Sequence, residues 1–279
     1  MQIFMDKEVV DPYSVSALYI YPIKSCQGIT IKNGRANNKG FVGDREYMLV
    51  DENGKFITQR NLPQMAQIKV EKFSKGLKVN APGMDELTIP KKSTGKLVPV
   101  NLWKDNFRAL KLPELLSQWF SEFLKRKVTL VKQSTKSKRK VSEKYALSKK
   151  DQVSLADGYP FLIVTNASLR KLNEYIIEPK IPVTRFRPNI VIEGKFPFNE
   201  DYWGIIKIGG VELALVKSCM RCVITTVDQK IGQRINNEPL FTLSKIRRTE
   251  NGVNFGQNAI PINTGIISVG DKVEILKQK

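Results

Sequence analysis

No histidine occurs among the 279 residues. That absence removes Ser-His-Asp and Cys-His catalytic arrangements, haem with a histidine ligand, and the usual histidine-rich catalytic zinc sites. Cysteine is scarce as well: Cys26, Cys219 and Cys222 are the only three. A small odd number fits a reducing compartment and no disulfide framework, and four-cysteine iron–sulfur ligation is excluded. Any metal is therefore held by few protein ligands, or by a cofactor that brings its own. No apolar run reaches membrane-spanning length, and Met1 to Val10 carries Asp6 and Glu8, unlike a secretory leader. A soluble, cytoplasmic protein without a membrane anchor is expected.

Acidic residues are in deficit: 27 Asp and Glu face 46 Lys and Arg, a net charge of +19. Such an excess implies an anionic partner (nucleic acid, an acidic protein or a phosphorylated cofactor) or simply a crowded lysine surface. The densest basic stretch, Lys132 to Lys150, holds eight basic residues against the single acid Glu143. It lacks interleaved aromatics and reads as a solvated loop more readily than as a nucleic-acid arm.

What is present is β-rich. Ser14–Tyr21, Ile29–Ile31, Tyr47–Asp51, Ile68–Val70, Leu77–Val79, Glu86–Ile89 and Leu97–Val100 read as strands between Gly, Pro and Asn turns. Asn53-Gly54 marks a hairpin tip, with Phe56–Arg60 as the returning strand. Pro113–Arg126 predicts a helix with Leu115, Leu116, Trp119, Phe120, Phe123 and Leu124 on one face. A second half begins near Asp151. It opens with strand Phe161–Thr165 and a helix from Ala167 to about Tyr175 capped by Asn166. Strands over Ile190–Ile192, Ile205–Ile208 and Val211–Val216, a helix over Glu238–Ile246, and a closing segment Gly265–Leu276 follow. The pattern predicts an α+β, β-rich chain: a barrel-like domain over 1–132, a basic loop over 133–150, and a second domain over 151–279.

The chemical focus is Lys217–Gly232, KSCMRCVITTVDQKIG. Cys219 and Cys222 precede a β-branched run, Val223–Val227, that reads as a strand. Cationic neighbours stabilise a thiolate, the form that binds metals and attacks electrophiles, and Lys217 and Arg221 are expected beside it. A lone CxxC is ambiguous among zinc, a redox dithiol and structure. Zinc lacks ligands, since only Cys26 adds sulfur, and a thioredoxin-type dithiol lacks its βαβ setting. Lys24-Ser25, in a turn after Tyr21-Pro22, either holds a phosphate or forms an ordinary surface turn. Arg45 and Arg187 could neutralise a phosphate tail, and the Gly158 and Gly256 turns could hold a heterocycle.

Seven stretches, in order, carry a resemblance: Tyr21–Cys26 (YPIKSC), Gly43–Arg45, Leu102–Asp105, Ala156–Phe161, Arg185–Ile192 (RFRPNIVI), Glu200–Trp203 and Cys219–Asp228 (CMRCVITTVD). Together they resemble MOSC-domain proteins with the associated N-terminal β-barrel, the family of the mitochondrial amidoxime-reducing component and its bacterial YcbX-type relatives. The resemblance covers the chain from about Ser14 onward and implies that the second domain is a MOSC β-barrel with a few helices. It implies a molybdenum cofactor of the molybdopterin type, with Cys222 as the catalytic thiolate ligand to the metal. Lys24, Ser25, Arg45, Asp157, Gly158 and Tyr159 would sit on its phosphate and pterin, and Arg187 and Asn189 on the pterin. Met220 and Arg221 would contribute from the cysteine turn. Asn258 stands where some relatives have tyrosine, and Cys219 has no ligand role. The wider superfamily is also linked with pyridoxal phosphate.

The implied reaction is two-electron reduction of N–OH to N–H in amidoximes, hydroxylamines and N-hydroxylated base analogues. Some bacterial members carry a ferredoxin domain, which the residues up to Lys279 do not supply. Electrons are therefore expected from a separate ferredoxin-, flavodoxin- or cytochrome-type donor steered by the basic surface. Two other classes compete: a cofactor or sulfur carrier reusing the fold, and a nucleic-acid-binding barrel using Lys132–Lys150.

Overall fold

The computed structural model describes residues 13–279. Met1 to Val10, read above as unlike a leader, lies outside the described residues. In β1 (Tyr13–Ile20) the side chains of Tyr13, Val15, Leu18 and Ile20 are buried, as a half-buried strand requires. Short strands β2 (Ile29–Ile31), β3 (Asn33–Asn37) and β4 (Gly40–Phe41) lead to β5 (Tyr47–Val50), buried along its whole length. The segment Phe56–Arg60 does not return as a strand. It makes a single bridge, Phe56 to Val50, and then runs irregularly, because β11 takes one edge of β5 and Pro22–Lys24 take the rest of the other through Tyr47. Strands β6 (Lys69–Phe73), β7 (Gly76–Asn80) and β8 (Leu87–Pro90) form a meander, and β9 (Leu97–Leu102) pairs with β10 (Asp105–Lys111). The sequence does not mark β10: in DNFRALK only Ala109 is fully buried, so the apolar alternation is missing. Helix α1 (Glu114–Leu124) buries Leu116, Phe120 and Leu124 but leaves Leu115 exposed, a narrower stripe than the sequence suggests. With β11 (Thr129–Lys132) these elements make a half-barrel around Leu49, Met65, Val79, Ile89 and Phe120.

The chain continues through β12 (Arg139–Lys140), β13 (Gln152–Val153), β14 (Phe161–Thr165), α2 (Asn166–Glu174) and β15 (Ile190–Glu193). It ends with β16 (Trp203–Ile208), β17 (Val211–Met220), β18 (Val227–Asp228), β19 (Gln233–Arg234), α3 (Leu240–Ile246), β20 (Arg248–Thr249), β21 (Gly252–Pro261), β22 (Gly265–Ser268) and β23 (Lys272–Gln278). Among the described residues, seven strands close a barrel in the order β14-β15-β1-β23-β16-β17-β21, with β21 pairing back to β14. The first strand of the described residues, β1, is thus a stave of the C-terminal barrel. Leu18, Phe161, Trp203 and Ile206 fill the barrel's interior, and Tyr13 meets Trp203 edge-on at 4.9 Å. The architecture is α+β and β-rich, a half-barrel beside a closed barrel. No helix among the described residues is long and apolar enough to cross a membrane. Helix α2 is capped by Thr165, whose hydroxyl accepts from Ser168 N at 3.2 Å. Asn166, expected as the cap, instead reaches Ser16 Oγ at 3.0 Å and Glu193 Oε2 at 2.6 Å.

The basic stretch Lys132–Lys150 is only partly a solvated loop. Arg139 is 3% exposed, pairs with Asp105 at 2.8 Å and donates to the carbonyls of Ser154 and Ala156. It ties the loop ahead of β14 to the half-barrel. Arg139→Met is expected to cost about 3 kcal/mol, because it strands a carboxylate and two buried carbonyls. Chemical denaturation measures this, and a loss below about 0.5 kcal/mol would contradict it.

Candidate active site

The two barrels meet at a cleft, and all twelve residues that the family resemblance implies line it, whereas Lys217 and Gly256 do not. Lys24 and Ser25 come from the turn after β1, Arg45 from the approach to β5, and Asp157, Gly158 and Tyr159 from the loop before β14. Arg187 and Asn189 precede β15, Met220 ends β17, Arg221 and Cys222 follow it, and Asn258 lies within β21. Backbone bonds clamp the first two segments together: Arg45 N to Tyr21 O and Lys24 N to Tyr47 O, both 2.8 Å. Ser25, Arg45 and Arg187 adopt left-handed backbones with φ of 67°, 47° and 57°. Such conformations cost free energy in residues other than glycine, and here they turn side chains into one space.

Tyr21 organises the cationic wall. Its buried ring lies 4.2 Å from both the Arg45 and the Arg187 guanidinium, and its hydroxyl donates to Pro188 O at 3.1 Å. Two neighbouring guanidinium groups need compensation. Arg45 donates to Asp44 Oδ2 at 2.6 Å and Asn189 Oδ1 at 3.1 Å, and Arg187 donates to Cys26 O at 2.8 Å. Burial lowers the Arg187 guanidinium to about 10. Burial also pushes the Cys26 thiol up to about 12, so this fully buried sulfur stays a thiol within the core.

Across the cleft, the Lys24 ammonium contacts Asp157, which Arg60 approaches at 3.7 Å and the Trp103 indole N–H at 3.2 Å. Desolvation opposes ionisation of Asp157, but the half-open carboxylate touches Lys24 and Arg60 and is held well below the usual carboxylate range. Burial moves Lys24 down as well, with Arg139 and Arg45 adding to it against the pull of Asp157. Both shifts agree with an excess of positive charge in the cleft. A depressed carboxyl contributes stability above its unfolded value near 3.8 and loses it as pH falls through the folded value. Asp157→Asn is therefore expected to lower the melting temperature by a constant amount from pH 5 to 8. The gap to wild type should close as pH drops below about 4, and a pH-independent gap would contradict this.

At the cysteine turn the structure departs from expectation. Strand β17 runs on to Met220, and Val223–Thr226 forms a 3₁₀ turn in place of a strand. The threonines decide it: Thr225 Oγ1 donates to Cys222 O at 3.0 Å and Thr226 Oγ1 to Val223 O at 2.8 Å, replacing a sheet partner. Arg221 and Lys217 do not serve Cys222. Arg221 donates to Cys219 Sγ at 2.8 Å and Phe186 O at 2.7 Å, while the Lys217 ammonium lies 5.0 Å from the Tyr145 ring. The cation on Cys222 Sγ is Arg60, at 3.3 Å. Arg60 and Thr58 line the cleft from the irregular segment that reads as a strand, and no residue within Phe56–Arg60 signals otherwise.

Among the described residues, Lys24, Arg45, Arg60, Arg187 and Arg221 line the cleft against one acid, Asp157. Arg60 Nη1 and Arg221 Nε are buried without acceptors. Orphaned cationic donors of this kind are costly unless an anion accepts from them. A Cβ built on Gly158 meets nothing within 4 Å, so the backbone there faces open space. No three Cys, Asp or Glu side chains converge as a ligand set among the described residues. The excess of cationic donors therefore fits an anionic, phosphate-bearing group, and the donor set by itself does not build a metal site.

Residues 13–127 match the MOSC N-terminal beta barrel domain and residues 150–274 the MOSC domain. Bovine mitochondrial amidoxime reducing component 2 is 35% identical over 243 residues, spanning 84% of this chain and 72% of the relative. Mouse mitochondrial amidoxime-reducing component 1 is 33% identical over 282 residues, spanning 95% of this chain and 83% of the relative. Human molybdenum cofactor sulfurase is 30% identical over 296 residues, spanning 96% of this chain but 33% of the sulfurase. The chain belongs to the MOSC-domain family with an N-terminal MOSC barrel, the family of the mitochondrial amidoxime-reducing components.

Proposed function

We propose that this protein is a molybdenum-cofactor-dependent reductase of small N-hydroxylated compounds. One observation carries the reading: a half-buried thiol, Cys222, shares a cleft with five cations, two of which keep buried donors without acceptors. When bound, the cofactor supplies a metal centre that removes oxygen from N–OH with two electrons. The chain does the rest. Lys24, Ser25 and Arg45 would hold the cofactor's phosphate, Arg187 and Asn189 would orient its heterocycle, and Cys222 would supply a thiolate to its metal. Arg60 bridges Cys222 and Asp157 and so sets the thiol's position relative to the cationic wall. Burial pushes the Tyr159 phenol up to about 12, and its Oη is a hydrogen-bond donor on the cleft wall. Met220, 47% exposed, lines the entrance where substrate arrives.

Electrons come from a separate donor protein, and a surface of net charge +19 suits an acidic one. Three free cysteines support a reducing, cytoplasmic setting. Similarity to a cofactor sulfurase favours a second reading, a cofactor or sulfur carrier on the same cleft. Anaerobic assay of cofactor-loaded protein with an aryl amidoxime and reduced methyl viologen separates them. Formation of the amidine supports the reductase; loaded protein that yields none points to the carrier.

A further inference from the structure

A second cavity, an open groove of about 1260 Å³, adjoins the cleft. It is bordered by the β9–β10 hairpin and residues 138–144, and it shares Asp157, Gly158 and Tyr159 with the cleft, so the two spaces are continuous. Five exposed lysines line it: Lys55, Lys104, Lys138, Lys140 and Lys144. Among the described residues none of the five makes an ion pair. The groove's acids are mostly engaged elsewhere, Asp105 with Arg139 and Asp157 with Lys24, which leaves Glu143.

The lysines are not scattered on a loose loop. Strand alternation around the buried Arg139 sends Lys138 and Lys140 outward, and pairing of β12 with β13 fixes that strand. Between groove and cleft stands Trp103, 46% exposed and in a left-handed backbone, φ 58°. Its indole donates to Asp157 at 3.2 Å, and its ring lies 4.6 Å from the Arg60 guanidinium and 4.9 Å from the Phe56 ring. An exposed tryptophan pinned by three contacts is a rigid apolar platform beside a concave cationic surface. Past it, Gly158 borders both the groove and the cleft and faces open space.

We propose that this groove binds the acidic tail of the substrate. The substrate class is then an N-hydroxylated aromatic compound bearing a carboxylate or phosphate. Its ring rests on Trp103, its anion lies among the lysines, and its N–OH enters the cleft past Gly158. The inference rests on the reductase reading and narrows it.

The test compares an uncharged aryl amidoxime with its para-carboxylate and para-phosphate analogues, on cofactor-loaded protein with reduced methyl viologen. At low salt, kcat/KM for at least one acidic analogue is expected to exceed that for the neutral probe by about tenfold, an advantage that added salt screens. In Lys104→Gln/Lys138→Gln/Lys140→Gln/Lys144→Gln, the acidic-to-neutral ratio is expected to fall to about two or less. The analogue that keeps the larger advantage distinguishes a carboxylate from a phosphate ligand. Turnover of all probes at equal kcat/KM overturns the groove and leaves the reductase reading standing. An unchanged ratio in the variant, with a raised KM for a protein donor, assigns the lysines to donor docking and also overturns it. If no probe is turned over, the reductase reading fails, and tryptophan-fluorescence titration with the para-carboxylate decides the groove. Saturable quenching lost in the variant supports an anion site; no saturable quenching overturns it.

Discussion

Cys222→Ala is expected to lower amidoxime reduction on the order of a thousand-fold, equivalent to about 4 kcal/mol of barrier stabilisation, with the melting temperature unchanged within about 2 °C. The separation of the two effects follows from the geometry. Among the described residues the hydrogen-bond partner of Cys222 Sγ is Arg60, at 3.3 Å, and the turn around it is held by backbone and threonine bonds that do not involve the sulfur. Removing the thiol therefore costs the fold little, while under the proposed function it would deprive the cofactor's metal of its protein thiolate. Cys219 gives the contrast. Its sulfur accepts from Arg221, and the side chain packs against the cluster that includes Leu172, Phe186 and Phe255, so Cys219→Ala is expected to leave most activity in place. Turnover assays and thermal melts of both variants check the pair. Full activity in Cys222→Ala, with loss in Cys219→Ala, would reverse the assignment.

Tyr21→Ala carries the second large effect, on the fold and the cleft together. The ring is 2% exposed, lies against Gly28 so closely that a Cβ there would sit 2.4 Å from Cε1, and has two guanidinium groups at 4.2 Å. Truncation opens a cavity and leaves Arg45 and Arg187 facing each other without the ring. The expected loss is about 3–5 kcal/mol, with reduced cofactor retention. Tyr21→Phe keeps the ring and forfeits one hydrogen bond to Pro188 O, for a loss of about 1 kcal/mol. Denaturant titration of the two variants separates packing from the hydroxyl. A Tyr21→Ala protein within about 1 kcal/mol of wild type would contradict this role.

Much of the fold was legible because its strands alternate or run apolar: β1, β5, β14 and β15 read directly from Ser14–Tyr21, Tyr47–Val50, Phe161–Thr165 and Ile190–Ile192. What could not be read was where β1 goes. Its pairing of Val15 with Ile192 and Tyr13 with Val273 is long-range, and no local pattern encodes it. The Val223–Thr226 turn was misread because β-branched residues favour strands until their hydroxyls find local carbonyls. In the cleft, the residues carried by sequence motifs all converge, but the cation on Cys222 does not come from its sequence neighbours. Arg60 is 162 positions away, and proximity in the chain pointed instead to Arg221, which serves Cys219. Arg139 was hidden in the same way, as one buried guanidinium within a run that looks uniformly solvated.

The measurement that bears most directly on the central claim is the molybdenum and pterin content of protein expressed with molybdate in a host that makes the cofactor. The account predicts about one molybdenum and one pterin per chain, with molybdenum lost in Cys222→Ala. Wild-type protein carrying neither molybdenum nor pterin would contradict it.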